Sequence, residues 1–248
     1  MPDALRLAIG TLTRLPVPAP RQVDRRTAGQ AMSLAPLVAL VLAAICGLPL
    51  LITRDRPAIA LLIAIVSFAL LAWATRALHL DGLADTADAL GSGKPAAAAL
   101  EIARKSDIGP FGVITLIFTL LLQIAAVASL PDAHDAYFAF VIAIVTSRVA
   151  LTWACTRMWP AARPDGLGAV VAATVPLLVA IAWTIITIAL AWIFVGIAGG
   201  VSVVLGILAG IVLLVIARRR LGGMTGDVLG ATIEMTATTA VLVLALIV

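Results

Sequence analysis

Long stretches of this chain carry no charge. Thr27 to Thr53, Pro57 to Thr75 and Ile108 to Pro131 lack Asp, Glu, Lys and Arg, and Gly166 to Ala217 extends the pattern over 52 residues. A helix needs about 20 apolar residues to cross the hydrocarbon core of a bilayer, so each of the first three runs predicts one span. The 52-residue run has room for two, with Gly196, Gly199 and Gly200 marking the break. Two further spans are predicted, from about Tyr137 to Met158 with Arg148 inside it, and from about Val228 to Val248. The expected fold is all-α: a polytopic membrane helical bundle of about seven transmembrane helices, one integral membrane domain over residues 1–248.

Composition supports this pattern. Hydrophobic residues make up 62% of the chain and charged residues 12%, with a mean hydropathy of +1.15. A soluble domain is about half apolar and a quarter charged, so a soluble globular fold, a disordered chain and a coiled coil are excluded. The net charge of +4 does not signal a nucleic-acid partner, because the cations follow the membrane. Fifteen of the 17 Lys and Arg fall in or beside segments that a seven-span arrangement puts on one side: Arg6, Arg14, Arg21, Arg25 and Arg26, then Arg76, Lys94, Arg104 and Lys105, then Arg148, Arg157 and Arg163, then Arg218, Arg219 and Arg220. Only Arg54 and Arg56 fall on the other. The positive-inside rule then predicts a cytoplasmic N-terminus and a C-terminus outside. The first 26 residues mix Arg, Asp and Pro, so no cleaved signal peptide is expected; Ala4 to Leu12 reads as an interfacial helix ending before Pro16 and Pro18. Cys46 and Cys155 lie in apolar runs without metal-ligand spacing and read as small packing residues.

The polar residues that remain fall into three clusters. Between the second and third spans, Asp81, Asp85 and Asp88 stand at i, i+4 and i+7, which places three carboxylates on one stripe of a helix. At about 5 Å and an effective dielectric near 20, each neighbouring pair costs roughly 3 kcal/mol, so a cation among them is expected. Hard oxygen donors favour Mg²⁺, which commonly shares its shell with substrate phosphates. Lys105 and Asp107 follow, with Gly109 and Gly112 allowing close backbone approach. The third cluster comprises Arg218, Arg219 and Arg220, then Gly222, Gly223, Thr225, Gly226 and Asp227, with Glu234 seven residues on, inside the last apolar run. An ionisable group at such a depth is a functional candidate by default. Arg148 calls for a carboxylate partner or a substrate phosphate for the same reason. His79 precedes the acidic stripe as a candidate base or ligand, whereas His134 stands apart from every cluster. Carboxylates for a divalent metal, glycine turns and cations on one face together describe phosphoryl transfer. Neither a Walker A sequence nor a dinucleotide-binding glycine pattern is present.

Thr13-Arg14-Leu15-Pro16-Val17-Pro18, the His79 to Asp88 stripe, Lys105 to Gly112, Asp165 to Ala169 and Gly222 to Glu234 together resemble cobalamin synthase, the adenosylcobinamide-GDP ribazoletransferase family. The resemblance implies a multi-pass enzyme of the bacterial inner membrane with a cytoplasmic active site and Mg²⁺ as cofactor. Its reaction joins α-ribazole or its 5′-phosphate to adenosylcobinamide-GDP and releases GMP, late in cobalamin biosynthesis. Its partners are these two substrates and the lipid bilayer, with no nucleic acid, and a homo-oligomer is compatible with it. Carried over residue by residue, it implies Asp81, Asp85, Asp88, Lys105 and Asp227 as catalytic, with Asp81, Asp85, Asp88 and Asp227 as metal ligands. His79, Gly82, Asp107, Arg148, Gly222, Gly223, Thr225 and Glu234 are the implied substrate-binding residues. Leu80 departs from the family pattern, in which an acidic residue often stands beside the first aspartate. Two other readings are a CDP-alcohol phosphotransferase, whose usual arrangement of aspartates around an Ala-Arg pair is missing, and an ion transporter, which tends to place its charges near mid-membrane.

Overall fold

The computed structural model describes residues 1–55, 57–105 and 107–248, without the side chains of 53–55 and 57. Arg56 and Ser106, and the side chain of Arg54, therefore lie outside the described residues. Eleven α-helices follow in order: α1 (Asp3–Leu12), α2 (Arg25–Ser33), α3 (Ala35–Gly47), α4 (Ala60–Ala74), α5 (Leu78–Gly91), α6 (Ala96–Ile102), α7 (Pro110–Ala128), α8 (Ala133–Ala154), α9 (Gly166–Val171), α10 (Leu177–Leu221) and α11 (Gly226–Ile247). Among the described residues the only β pairing is an isolated parallel bridge between Ala161 and Met224.

Local chemistry sets the helix limits. Asp24, Asp132 and Thr225 each accept a hydrogen bond from a backbone N–H three residues ahead, satisfying a donor that the first turn leaves free. Pro110 opens α7, where its missing N–H is not needed. Gly222, at φ 87°, ends α10 in the left-handed conformation that a side chain resists.

Among the described residues, five helices are long and apolar enough to cross a membrane, beginning with Ala35–Ile52, and the bent pair α4 and α5 makes a sixth when taken as one span. One of the five is α10, whose 45 residues would exceed 60 Å if straight. It is not straight. Gly196, at φ 68° and ψ −154°, breaks it, and a Cβ on Gly199 would collide with the backbone of Ala191, eight residues earlier. Residues eight apart in a continuous helix are about 12 Å from one another. The chain therefore reverses at Gly196. Its first arm rises from Val175, whose N–H donates to Cys155 beyond the end of α8, to Phe194, which stacks on Phe138 near the start of α8. Its second arm returns until Arg218 donates to the Met158 carbonyl. With the arms counted separately, the chain makes about seven passes.

The second pass departs from expectation. The Pro57 to Thr75 run yields only the 15-residue α4, after which α5 turns away by 89°. Arg76 and Ala77, at φ 57° and 54°, make that corner in a left-handed conformation costly for residues with a Cβ. The corner is clamped: Ala77 donates to Ala72, Arg14 donates to the Ala74 carbonyl and stacks over Trp73, and Arg76 donates to Gly10. As a result, α1 is tied to the turn that launches the acidic helix.

Helix α11 packs against α5, α7, α8 and the second arm of α10. Small residues permit this: Cβ atoms on Gly206 and Gly210 would press on Thr236, Ala240, Thr146, Thr232 and Ala150. Close approach of small side chains is how membrane helices gain packing when hydrophobicity alone offers little. Large apolar residues face outward instead, including Ile114, Phe118, Leu121, Leu178, Ile185 and Trp192.

Candidate active site

Helix α5 crosses the start of α11 with almost no space between the two backbones. A Cβ on Gly82 would sit 2.8 Å from the Asp227 carbonyl oxygen, and one on Gly230 would sit 3.1 Å from that of His79. Two glycines, one on each helix, thus bring the acidic stripe against the glycine-rich cluster. Asp85 lies within electrostatic reach of Asp81, Asp227 and Asp88, and Asp227 within reach of Asp81. Thr225 caps α11 and also donates from Oγ1 to Asp227 Oδ2 at 3.1 Å.

A cavity of about 670 Å³ opens beside this crossing. His79, Asp81, Thr225, Gly226 and Asp227 line it, joined by Thr11 and Leu12 of α1 and by Arg104, Arg163 and Asp165. The loop before α11 is held in place by backbone pairing: Met224 donates to Pro160, and Ala162 donates to Met224, both at 2.9 Å. Gly168 and Gly223 have backbone atoms where their Cβ atoms would be, so Gly223 serves close packing and Gly222 the helix stop.

Asp88 occupies a different place. Its carboxylate accepts from the Gly109 N–H at 2.7 Å and from the Gly112 N–H at 2.9 Å, which fixes the start of α7 to α5. It is buried and does not line the cavity. Lys105 and Asp107 are exposed, and neither lines the cavity. Arg148 also stands outside it, in a buried polar group behind His79. Its Nη1 donates to Ser147 Oγ at 2.7 Å and its Nη2 to His79 Nδ1 at 3.1 Å. Glu234 is coupled to the Arg148 charge and accepts from Gln123 at 3.0 Å, and Gln123 also donates to Thr238. A void of about 20 Å³ lies among His79, Arg148, Gln123 and Glu234. Because Arg148 can only donate, His79 Nδ1 accepts and the neutral ring carries its proton on Nε2, a buried atom without a hydrogen-bond partner. His79 is thus the one residue shared by the cavity and this buried group.

Arg163 and Arg104 are cavity-lining cations absent from the candidates drawn from the sequence. Arg163 approaches Asp227 at 3.6 Å, and Arg104 pairs with Asp165 at 3.0 Å across the cavity rim. The Arg163 to Gly168 turn, in which a cation precedes an aspartate and two glycines, was the signal for the first. Arg104 lacked one, since it stands among other boundary cations.

The donor set suits a hard cation that is only partly held by protein. Asp81, Asp85 and Asp227 offer oxygen atoms, and among the described residues the one cation paired with them is Arg163. Among the described residues, the only trio of ligand atoms within 4.8 Å of one another belongs to Asp132, His134 and Asp135, at the opposite end of the bundle. Asp81, Asp85 and Asp227 do not form such a trio, so a cation there would take one or two of these carboxylates and complete its shell with water and substrate phosphate, as Mg²⁺ usually does.

The family model for Cobalamin-5-phosphate synthase matches residues 4–245 of this chain. Proteins named adenosylcobinamide-GDP ribazoletransferase are similar along nearly the whole length. The one from Frankia casuarinae is 42% identical over 97% of this chain and 94% of its own, and that from a Nocardioides species is 42% identical over 95% of each. The protein of that name from Bradyrhizobium diazoefficiens is 35% identical over 97% of this chain and 92% of its own. No solved structure matches. With its glycine-mediated crossing and acidic cavity inside the matched region, the chain belongs to the cobalamin-5-phosphate synthase family.

Proposed function

We propose that this chain transfers the adenosylcobinamide phosphate group of adenosylcobinamide-GDP to α-ribazole or α-ribazole 5′-phosphate and releases GMP. The observation that carries the reading to particular residues is the packing of Gly82 on Asp227, which sets Asp81 and Asp227 on the wall of one cavity, with Asp85 behind them and within electrostatic reach of both, in a member of this family. A ribazole hydroxyl attacks the phosphorus nearest cobinamide. A new P–O bond forms as the bond to the bridging oxygen breaks, and GMP carries away the electron pair. Asp227 stands at the cavity edge as acceptor for the hydroxyl proton, held in orientation by Thr225. Arg163 and Arg104 supply positive charge at the rim, the duty that sequence reasoning gave to Lys105 and Arg148. Asp81, Asp85 and Asp227 are the residues to hold Mg²⁺, which when bound neutralises diphosphate charge as positive charge does in phosphoryl transfer generally.

The same reading puts the cavity on the cytoplasmic side of a bacterial inner membrane, because the segments around it carry most of the cations. The test uses purified protein with Mg²⁺, adenosylcobinamide-GDP and α-ribazole. GMP and a corrinoid bearing the new nucleotide loop are expected. CMP release from CDP-diacylglycerol with a small alcohol, and no GMP, would move the assignment to the CDP-alcohol class.

A further inference from the structure

A second cavity, about 680 Å³, lies behind the loop that carries Arg163. Four arginines line it: Arg163 of that loop, Arg25 from the start of α2, Arg157 after α8, and Arg218 from the end of α10. No Asp or Glu is among its described lining residues, in contrast to the acidic cavity next door. Arg163 lines both.

Two of the guanidinium groups are held in place by carbonyl groups of the wall. Arg25 donates to Ala169 at 2.6 Å and also to Ala172, at the C-terminal end of α9. Arg218 donates to Met158. Arg157 is exposed and, among the described residues, has neither a hydrogen bond nor an ion pair. The wall also includes Trp159, 5% exposed, whose indole N–H is buried without an acceptor. Cations converging on a concave surface without a compensating carboxylate call for an anion, and guanidinium groups suit phosphate in particular. The volume lies within the range for a single small ligand such as a nucleotide.

We propose that this arginine-lined cavity is a phosphate-binding subsite that receives the nucleotide end of the donor substrate and then the departing GMP. The inference rests on the transferase reading above. Reaction at the acidic cavity sets free a nucleoside monophosphate beside the Arg163 loop. The arginine cavity lies across that loop and attracts the monophosphate.

Membrane headgroups carry phosphate too, so the experiment separates the two sources. Full-length protein is placed in nanodiscs of pure phosphatidylcholine, or of phosphatidylcholine with phosphatidylglycerol, and GMP binding is followed by calorimetry. Arg157→Gln removes a group with no structural partner, and Arg220→Gln, outside the cavity, is the control. The expected result is GMP binding in both lipids, weakened roughly tenfold by Arg157→Gln and unchanged by Arg220→Gln. In turnover, Arg157→Gln should raise KM for adenosylcobinamide-GDP about as much while kcat stays within about twofold. Equal GMP affinity in Arg157→Gln and wild type would overturn the proposal. So would loss of GMP binding in phosphatidylglycerol nanodiscs, which would mean that headgroups occupy the cavity. Wild-type protein that binds GMP through Arg157 but releases none from adenosylcobinamide-GDP would refute the transferase reading and leave the subsite standing.

Discussion

Gly82 on α5 rests on the carbonyl of Asp227 on α11, so closely that a methyl group there would sit 2.8 Å from the oxygen. This contact, more than any single carboxylate, makes one site from segments 145 residues apart. Gly82→Ala is expected to push the helices apart and cost about 1–3 kcal/mol by overpacking. Turnover should fall by more than tenfold in protein that still elutes as a folded species from size exclusion in detergent. Wild-type turnover in Gly82→Ala would show that the crossing need not be close.

Asp85 and Asp88 neighbour each other on one helix, yet they should respond to substitution in opposite ways. Asp85 lies near three other carboxylates, so Asp85→Asn relieves repulsion and should leave the melting temperature equal or higher while abolishing turnover. Asp88 holds two backbone N–H groups of α7, and Asp88→Ala leaves them without an acceptor. A loss of about 0.5–2 kcal/mol is expected, read as a lower melting temperature. Matching thermal behaviour in the two variants would argue against this division.

Arg148, neutral His79 and Glu234 form a buried polar group in which removing one member leaves the others without a partner. Arg148→Gln should lower stability by about 1–3 kcal/mol, because Ser147 and His79 lose a buried hydrogen-bond partner and Glu234 loses a nearby opposite charge. Glu234→Gln added to Arg148→Gln should recover part of that loss, and a double-mutant cycle on thermal unfolding in detergent measures the coupling. Strictly additive losses would mean that the two side chains do not interact.

The reversal at Gly196 makes a topological prediction. Reporters placed at Gly196 and after Val248 should report the same side of the membrane, opposite to one at Gly93. A straight α10 would place Gly196 within the bilayer, and a reporter there would give no clear side.

Much of this was legible in the sequence because the bilayer forces the backbone to bond within each segment, so charge-free runs map onto helices. The break near Gly196 was visible as a glycine cluster. The corner at Arg76 and Ala77 was not, since nothing in those residue types asks for a left-handed backbone and tertiary contacts impose it. At the site, the i, i+4, i+7 spacing correctly placed three aspartates on one helix. Spacing along one helix could not reveal that Asp88 turns to the start of α7 while Asp81 faces the cavity. Lys105 and Arg148 attracted attention as charges near glycines or in lipid. Arg163, which the glycine-rich turn after it could have marked, and Arg104, an ordinary boundary cation in the sequence, instead occupy the rim, because loop folding decides which cation faces inward.

The central claim is that Asp227 and the α5 aspartates serve one metal-dependent transfer reaction. Its most direct test is the Mg²⁺ dependence of GMP release from adenosylcobinamide-GDP and α-ribazole, in wild-type protein and in Asp227→Asn. Chelator is expected to stop the wild-type reaction and Mg²⁺ to restore it, and Asp227→Asn to lose at least a hundredfold in turnover and to need far more Mg²⁺ for what remains. Wild-type turnover at wild-type Mg²⁺ concentrations in Asp227→Asn would contradict the claim.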